Sequence, residues 1–196
     1  MADHPPQSQT SLLGPQDIRC VLMDPPWDRE RGGGQVQRGA DRHYPLMSVP
    51  NIHRTIVEGC EHWARLCDDA HVWIWVTNPV LMSGEAHEFA GLLGVEPKSC
   101  FTWVKMTDEG VLQKGLGQYS MGSTEHLLLC RRGDFIRPDT RHPTAFFAPR
   151  TEHSKKPEES YQIIESTSPG GYLEVFARRP REGWIVWGNE VLREAE

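Results

Sequence analysis

The sequence predicts an α/β fold in which a mostly parallel central sheet carries helices on both faces. Short apolar runs of strand length alternate with segments whose apolar residues recur at helical spacing, and polar or glycine-rich stretches separate them. The 196 residues fit one domain. We place that domain at residues 16–196, behind a flexible tail at residues 1–15 that is rich in Pro, Gln and Ser.

Six strands and three helices are predicted along the chain. The strands are expected at 18–23, 70–77, 100–105, 123–133, 172–177 and 184–190. The helices are expected at 49–66, from Asn78 as the capping residue to Gly94, and from Pro157 to the break at Pro169. The first helix should bury one face, formed by Ile52, Ile56, Val57, Cys60 and Trp63. Two long loops remain, at 28–43 and 106–122, and the first has the character of an arginine-bearing lid.

The segment Asp24-Pro25-Pro26-Trp27 directly follows the first predicted strand. Open α/β sheets bind ligands at the carboxyl ends of their strands, so this position suits a site. Two consecutive prolines make the turn stiff and poor in backbone donors. The turn offers the Asp24 carboxylate, the Pro25 carbonyl and a flat indole, which together suit an aromatic amine. A plain turn with Trp27 in the core is the alternative interpretation of these four residues.

Composition narrows the classes of function. The formal net charge of −6 confines any nucleic-acid contact to a local basic patch. The five cysteines lack a Cys-x-x-Cys pair, and the nine histidines are scattered, so neither a disulfide framework nor a metal site is expected. No apolar run is long enough to span a membrane, and no signal sequence is apparent. We therefore predict a cytoplasmic protein.

Basic residues concentrate between the fourth predicted strand and the last helix. They are Arg131, Arg132, Arg137, Arg141, Arg150, Lys155 and Lys156. A local cluster of this kind can contact phosphates, although a solvated surface is the alternative. Arg131 and Arg150 are our candidates for contacts to a nucleic-acid substrate.

Seven further motifs follow Asp24-Pro25-Pro26-Trp27 along the chain. They are Tyr44-x-x-Met47-Ser48, Trp75-Val76-Thr77, Trp103-Val104-Lys105, Glu125-His126 before Gly133, His153-Ser154-Lys155-Lys156-Pro157-x-Glu159, Leu173-Glu174-Val175-Phe176-Ala177-Arg178 and Gly183-Trp184-x-x-x-Gly188-Asn189-Glu190. This ordered set resembles the MT-A family of adenine 6-amino methyltransferases. The resemblance covers Ile18 to Glu190 and implies a Rossmann-like methyltransferase fold with a permuted motif order.

The resemblance also implies a cofactor, S-adenosylmethionine, and roles for individual residues. Lys156 would meet the methionine carboxylate, Arg178 the ribose, and Asn189 and Glu190 the adenosine portion. Asp24 and Glu174 are the other expected cofactor contacts, and Tyr44, Lys105 and Glu125 are expected beside the substrate. In this chain only a short polar tail precedes Ile18, where family members usually have an acidic contact to the cofactor adenosine.

The expected reaction is methyl transfer to the 6-amino group of adenine. Asp24 and the Pro25 carbonyl would accept the amino hydrogens, and Trp27 would stack on the base. We expect DNA rather than RNA as substrate, because the chain is small and shows no appended RNA-binding module. Target recognition would then come from the loops, from a homodimer or from a partner subunit. The alternatives are RNA adenosine methylation, a catalytically silent subunit of the same fold, and methylation of another amine such as cytosine or a glutamine amide.

Overall fold

The computed structural model describes residues 17–28, 46–115, 119–134, 136–138, 140–150 and 155–188. Its strands are β1 (Ile18–Met23), β2 (Leu66–Val76), β3 (Glu96–Met106), β4 (Thr124–Arg132), β5 (Ala145–Pro149), β6 (Tyr172–Val175) and β7 (Trp184–Trp187). Its helices are α1 (Val49–Gly59), α2 (Asn78–Ser83), α3 (Glu85–Leu92) and α4 (Glu158–Thr167), and a short 3₁₀ turn spans Trp63–Arg65. No helix in these described segments could cross a membrane.

One sheet contains all of these strands, in the order β5-β3-β4-β2-β1-β6-β7. Strand β1 lies between β2 and β6 and is parallel to both, β6 is parallel to β7, and β3 is parallel to β5. Only β4 among the described strands is reversed, since it pairs antiparallel with β2 and with β3. The prediction of a mostly parallel sheet is therefore confirmed.

The reversal of β4 has a geometric consequence for the site. Because the other strands end where β4 begins, the first residues of β4 lie beside the last residues of β2 and β3. His126 faces Val76 at the end of β2, and Glu125 faces Trp103 on β3. We call this side of the sheet the carboxyl edge, and the side where β4 ends the opposite edge.

Alternate residues of the strands fill two separate cores, one on each face of the sheet. Val21 and Met23 of β1 belong to the core covered by α1, α2 and α3, where Ile52 and Phe89 are fully buried. Cys20 and Leu22 belong to the other core, together with the large side chains Trp73, Trp75 and Trp103 and with Ile163 and Ile164 of α4. Helices thus cover both faces, as the sequence predicts, and most of the tryptophans are core residues.

Two of the predicted helices differ from those observed. The helix expected at 49–66 ends at Gly59, and Leu66 already belongs to β2, so the exposed Val57 does not join the buried face. The helix expected between Asn78 and Gly94 is divided at Gly84, which has a positive φ of 85° that favours glycine. Thr77 is the N-cap of α2, and the Asn78 side chain instead bonds to His126 and Thr124 of β4.

Strand β5 lies in a region predicted as a basic loop. Its residues pair with β3 from Thr102↔Ala145 to Met106↔Pro149, and this pairing makes β5 one end of the sheet. Trp103 further joins the two strands, because its Nε1 donates a hydrogen bond to the Ala148 carbonyl at 2.9 Å. The strand is short and has Pro at its end, which are common features of edge strands.

Candidate active site

The turn after β1 is fixed by backbone hydrogen bonds on both of its sides. The Trp27 amide donates to the Pro25 carbonyl at 2.9 Å, and the Met47 amide donates to the Pro26 carbonyl at 2.8 Å. The Asp28 amide then donates to the Met47 carbonyl at 3.0 Å. These bonds tie the turn to the residues just before α1. They leave the Asp24 side chain at the carboxyl edge, one residue beyond Met23.

Trp27 does not offer an open face to a substrate. Its side chain is only 5% exposed, its ring meets Phe89 edge-on at 5.3 Å between centroids, and its Nε1 donates to the Trp75 carbonyl at 3.0 Å. In this structure Trp27 therefore lies in the core and presents no open ring face on which a base could stack. Its role here is to hold the turn against β2 and α3.

The end of β6 forms the other wall of the site. Phe176 has a positive φ of 63°, a conformation that bulky residues rarely adopt and that is common beside ligand sites. Gly188, after β7, packs so closely on this segment that a Cβ there would lie 2.2 Å from the Ala177 carbonyl oxygen. A small pocket is lined by Asp24, Pro26, Phe176 and Arg178. The ends of the adjacent strands β1 and β6 thus enclose one cavity.

Four side chains of alternating charge form a chain of ion pairs at the carboxyl edge. The Lys156 ammonium lies 3.2 Å from Asp24 Oδ1 and 2.7 Å from Glu125 Oε2, and the Lys105 ammonium lies 2.6 Å from Glu125 Oε1. The four residues come from the end of β1, the end of β3, the start of β4 and the segment before α4. We call them the charge chain: Asp24, Lys156, Glu125 and Lys105. Lys105, Glu125 and Lys156 are exposed by 15%, 19% and 14%, so water screens these pairs only partly.

Each charge in this chain stabilises its neighbours. Burial raises the pKa of Glu125, but the charges of Lys156 and Lys105 outweigh it and bring that pKa down to about 2. Burial likewise lowers the pKa of Lys156, and the attraction of Asp24 and Glu125 reverses that effect, so its pKa is raised. Glu125 and Lys156 therefore stay charged across the neutral pH range.

Each of the two lysines of the charge chain lies over a tryptophan ring. The Lys156 ammonium lies 4.8 Å from the centroid of the Trp75 ring, and the Lys105 ammonium lies 5.0 Å from that of Trp103. The tryptophan rings contact each other edge to face, with 6.2 Å between their centroids. A ring face attracts a cation, so these contacts add to the ion pairs. They also restrict where each ammonium can lie.

Glu174 lies on β6 beside β1, where it pairs in register with Leu22. Tyr161 of α4 donates a hydrogen bond from its hydroxyl to Glu174 Oε1 at 3.1 Å. Burial raises the pKa of Glu174, the Tyr161 hydrogen bond lowers it and the charge of Asp24 raises it, and the net result is a pKa of about 7. Glu174 is thus near Asp24, as a cofactor contact would need to be, and it exchanges its proton near neutral pH.

The two arginines chosen as nucleic-acid contacts lie at different edges of the sheet. Arg150 directly follows β5, and its amide donates to the Met106 carbonyl at 3.1 Å, which places it at the carboxyl edge. Arg131 pairs in register with His71, five residues before Val76, so it is roughly 16 Å along the strand from that edge. Its side chain pairs with Glu96 at 2.9 Å. Arg131 and Arg150, both predicted to contact nucleic acid, therefore lie at opposite edges of the sheet, and only Arg150 lies at the edge of the candidate site.

Several predicted residues lie outside the described parts of the chain. They are Tyr44, Asn189 and Glu190, the tail at residues 1–15 and nearly all of the predicted lid at 28–43. Within the described segments, no group of three or more His, Cys, Asp or Glu side chains is arranged to hold a metal ion. All five cysteines are free.

Three residues of the site were not predicted from the sequence: Tyr161, Phe176 and Gly188. Tyr161 follows Lys156 within one and a half helical turns, so the position of Lys156 could have indicated that α4 faces the site. Phe176 carries no sequence signal for its positive φ, because that conformation normally favours Gly or Asn. The contact of Gly188 with Ala177 depends on the pairing of β6 with β7, which a single sequence does not specify.

The permuted strand order, the Asp24 turn at the end of β1 and the second site wall at the end of β6 define a Rossmann-like methyltransferase fold. A family model described as MT-A70 matches residues 18–190. The chain therefore belongs to the MT-A70 family of adenine N6-methyltransferases.

Three relatives illustrate the range of proteins that this chain resembles. It is 28% identical to N6-methyladenosine RNA methyltransferase MTA1 of Cryphonectria parasitica over 88% of the chain and 51% of that protein. It is 28% identical to N(6)-adenine-specific methyltransferase METTL4 of Mus musculus over 96% of the chain and 43% of that protein. It is 25% identical to type II methyltransferase M.MunI of Mycoplasma sp over 88% of the chain and 77% of that protein. The chain thus spans about half the length of the first two.

Proposed function

We propose that this protein transfers a methyl group from S-adenosylmethionine to the 6-amino group of adenine in nucleic acid, with DNA favoured over RNA. The observation that carries the proposal is the Asp24 carboxylate, held by a rigid turn in a pocket that it shares with Arg178 of the neighbouring strand end. Membership of the MT-A70 family supports the reaction class. The names of relatives such as the MTA1 RNA methyltransferase keep RNA adenosine as the alternative substrate.

The side chains around this pocket fit the chemical groups of S-adenosylmethionine. When bound, this cofactor supplies a methyl group activated by a sulfonium. Asp24 and Glu174 offer carboxylates for an ammonium or hydroxyl group, and Arg178 offers a guanidinium for ribose oxygens. The Lys156 ammonium has three donors, of which Asp24 and Glu125 take two, so one remains for the methionine carboxylate. Asn189 and Glu190 remain the proposed contacts to the adenosine portion.

In the proposed reaction, the protein orients the 6-amino nitrogen of adenine. The Asp24 carboxylate accepts one amino hydrogen, and the Pro25 carbonyl accepts the other through its second lone pair, since the Trp27 amide occupies the first. Both hydrogen bonds favour a lone pair directed out of the delocalised ring system toward the methyl group. The nitrogen loses its proton after it has become positively charged, so Asp24 need not be a strong base at the start.

Access to adenine sets a further requirement on the protein. In duplex DNA the target base must leave the stack, at a cost of a few kcal/mol. Arg150 lies at the same edge as Asp24 but four strands away across the sheet, and it is our proposed contact to phosphates that flank the flipped nucleotide. With Trp27 buried, the pocket needs another side chain to face the adenine ring, and Tyr44 is the proposed one.

The test is incubation of the purified protein with labelled S-adenosylmethionine and with single-stranded DNA, duplex DNA or RNA, followed by mass spectrometry of the nucleosides. We expect labelled N6-methyldeoxyadenosine, and label confined to RNA adenosine would overturn the DNA preference. Calorimetry with the cofactor alone accompanies this measurement. Binding of cofactor and DNA without any transfer would favour a catalytically silent subunit, and absence of cofactor binding would contradict the whole proposal.

Two further parts of the proposal concern the protein in the cell. We propose a cytoplasmic location, and target recognition by a homodimer or by a partner subunit. Light scattering of the purified protein with and without DNA tests whether it forms a homodimer. Methylation of DNA at a defined sequence by the monomer alone would contradict recognition by a homodimer and recognition by a partner subunit.

A further inference from the structure

Lys105 is paired with Glu125 in this structure, although the sequence predicts it beside the substrate. Its ammonium lies 2.6 Å from Glu125 Oε1 and 5.0 Å from the centroid of the Trp103 ring, and its side chain is only 15% exposed. A phosphate contact normally comes from an exposed, flexible cation. The location of Lys105 therefore indicates a role other than contact with the phosphates of a nucleic acid.

The two carboxylates of the charge chain compete for the Lys156 ammonium. Lys156 lies closer to Glu125, at 2.7 Å, than to Asp24, at 3.2 Å. Lys105 occupies the second oxygen of Glu125 and neutralises part of its charge. Without Lys105, both Glu125 oxygens would be open to Lys156, and the attraction between Glu125 and Lys156 would be stronger. Because water screens these charges only partly, this attraction would draw the Lys156 ammonium away from Asp24.

We propose that Lys105 and Glu125 are positioning residues, which hold the Lys156 ammonium against Asp24 and so fix the carboxylate that orients the adenine amine. Lys105 acts through Glu125 and Lys156 and touches neither substrate nor cofactor. This inference rests on the proposed function for its kinetic consequence. The position of Lys156 can be measured without any activity.

The first experiment is a kinetic comparison of Lys105→Met with the wild type and with Lys105→Arg. Methionine keeps the length of the stem and removes the charge, and arginine restores a cation near Glu125. We expect kcat to fall about tenfold to a hundredfold in Lys105→Met, because small displacements of reacting groups have effects of this size, and to recover in part in Lys105→Arg. Lys98→Met, which removes an exposed lysine at the opposite edge, is the matched control and should leave kcat unchanged.

Salt dependence separates positioning from phosphate binding. A lysine that neutralises one phosphate changes the slope of log affinity for DNA against log salt by about 0.9. We expect Lys105→Met to leave both this slope and KM for DNA unchanged. A shallower slope with unchanged kcat would make Lys105 a phosphate contact and overturn the proposal. Unchanged kcat, KM and slope would overturn it as well.

A double-mutant cycle tests whether Lys105 acts through Glu125. In the Glu125→Gln background, Lys105→Met should have an effect of less than about twofold, because the charge that Lys105 compensates is already gone. Additive effects of the two substitutions would contradict the proposed order of action. Thermal unfolding of every variant identifies any loss of activity that comes from unfolding.

A crystal structure of Lys105→Met gives the readout that does not depend on activity. We expect Lys156 Nζ to approach both Glu125 oxygens and to lie more than 4 Å from Asp24 Oδ1, compared with 3.2 Å here. An unchanged distance would overturn the positioning role. If the wild type transfers no methyl group, the proposed function fails by itself, and this distance still decides the present inference.

Discussion

Charged side chains pair at both edges of the sheet, but in different surroundings. At the carboxyl edge, the charge chain links residues from four separate parts of the fold, and its lysines lie over tryptophan rings. At the opposite edge, Glu96 pairs with Lys98 and with Arg131, and its side chain is 59% exposed. Water screens the charges at the opposite edge and can replace their protein partners. The charge chain is less exposed, so water screens it less and replaces its partners less readily.

This difference distinguishes charges that build a site from charges that cover a surface. Exposed pairs contribute about 0–1 kcal/mol to stability, while removal of one partner from a buried pair costs several kcal/mol. A basic residue in the sequence is therefore a weak indicator of substrate binding until its environment is known. Substitutions at the two edges test whether the surroundings of a charge determine the effect of its loss.

The largest effect is expected for Asp24→Ala at the carboxyl edge. Loss of the carboxylate that is proposed to orient the amine should lower kcat about 1000-fold, since groups that act at the reacting atoms have effects of this size. Cofactor binding, measured by calorimetry, should weaken much less than kcat, because Glu174, Arg178 and Lys156 are the other proposed cofactor contacts. Asp134→Ala, at the exposed turn of the opposite edge, is the control with unchanged kcat. Full activity of Asp24→Ala would remove Asp24 from the mechanism.

Lys156→Met should have the largest effect on stability. The substitution leaves Asp24 without its lysine partner and Glu125 with one cation instead of two. We expect the free energy of unfolding in urea to fall by about 2–4 kcal/mol at pH 7. Lys98→Met, which removes an exposed partner of Glu96, should change it by less than about 0.5 kcal/mol. Equal changes for both variants would break the distinction between the two edges.

Glu174→Gln should stabilise the protein, and only at higher pH. The pKa of Glu174 is raised to about 7 by burial, from an ordinary value of 4.5, so the folded state favours the protonated form. The contribution of Glu174 to the free energy of unfolding is fully present below about pH 4.5 and is lost as the pH rises through 7. Glutamine stays neutral and still accepts the Tyr161 hydrogen bond.

For this variant we expect Tm to rise by about 3–6 °C at pH 8, with little change at pH 4.5. Glu88→Gln, on the exposed side of α3, should show the same small difference at both pH values. Destabilisation of Glu174→Gln at pH 8 would mean that the folded protein requires the charged carboxylate.

The smallest effect is expected for Arg131→Met. Its partner Glu96 is exposed, and Arg131 lies far along the strands from Asp24. The free energy of unfolding should change by less than about 0.5 kcal/mol, and kcat and the salt dependence of DNA binding should stay the same. A salt slope shallower by about 0.9 would show that nucleic acid reaches the opposite edge.

The sequence predicts the parts of this fold that depend on local pattern. The apolar run Ile18–Met23 and the prolines after it identify β1 and its turn, and the ordered motifs identify the permuted methyltransferase topology. Boundaries that depend on a single glycine were less accurate, as at Gly59 and Gly84. Strand β5 is short and lies among basic residues, so its pairing with β3 outweighs a weak local signal.

The arrangement of the site required tertiary information. A tryptophan in the turn after a strand can face a ligand or the core, and only the contacts with Phe89 and Trp75 decide between them for Trp27. Charged residues that are close in the sequence also differ in location. Glu125 and Arg131 are near the two ends of the reversed strand β4, so they lie at opposite edges of the sheet. The partners of Lys105 and Lys156 follow from that same reversal.

The β3–β4 connection leaves and returns at the carboxyl edge, since these two strands form an antiparallel pair. Within it, Gly115 donates its amide to the Gly122 carbonyl at 2.9 Å, which closes the outer part of the loop on itself. Doubling the length of such a loop costs only about 0.6 kcal/mol in closure entropy. Residues inserted beyond this closure would therefore lie at the carboxyl edge at little cost to folding, and they would change the surface beside the candidate site while the sheet that carries the site stays the same.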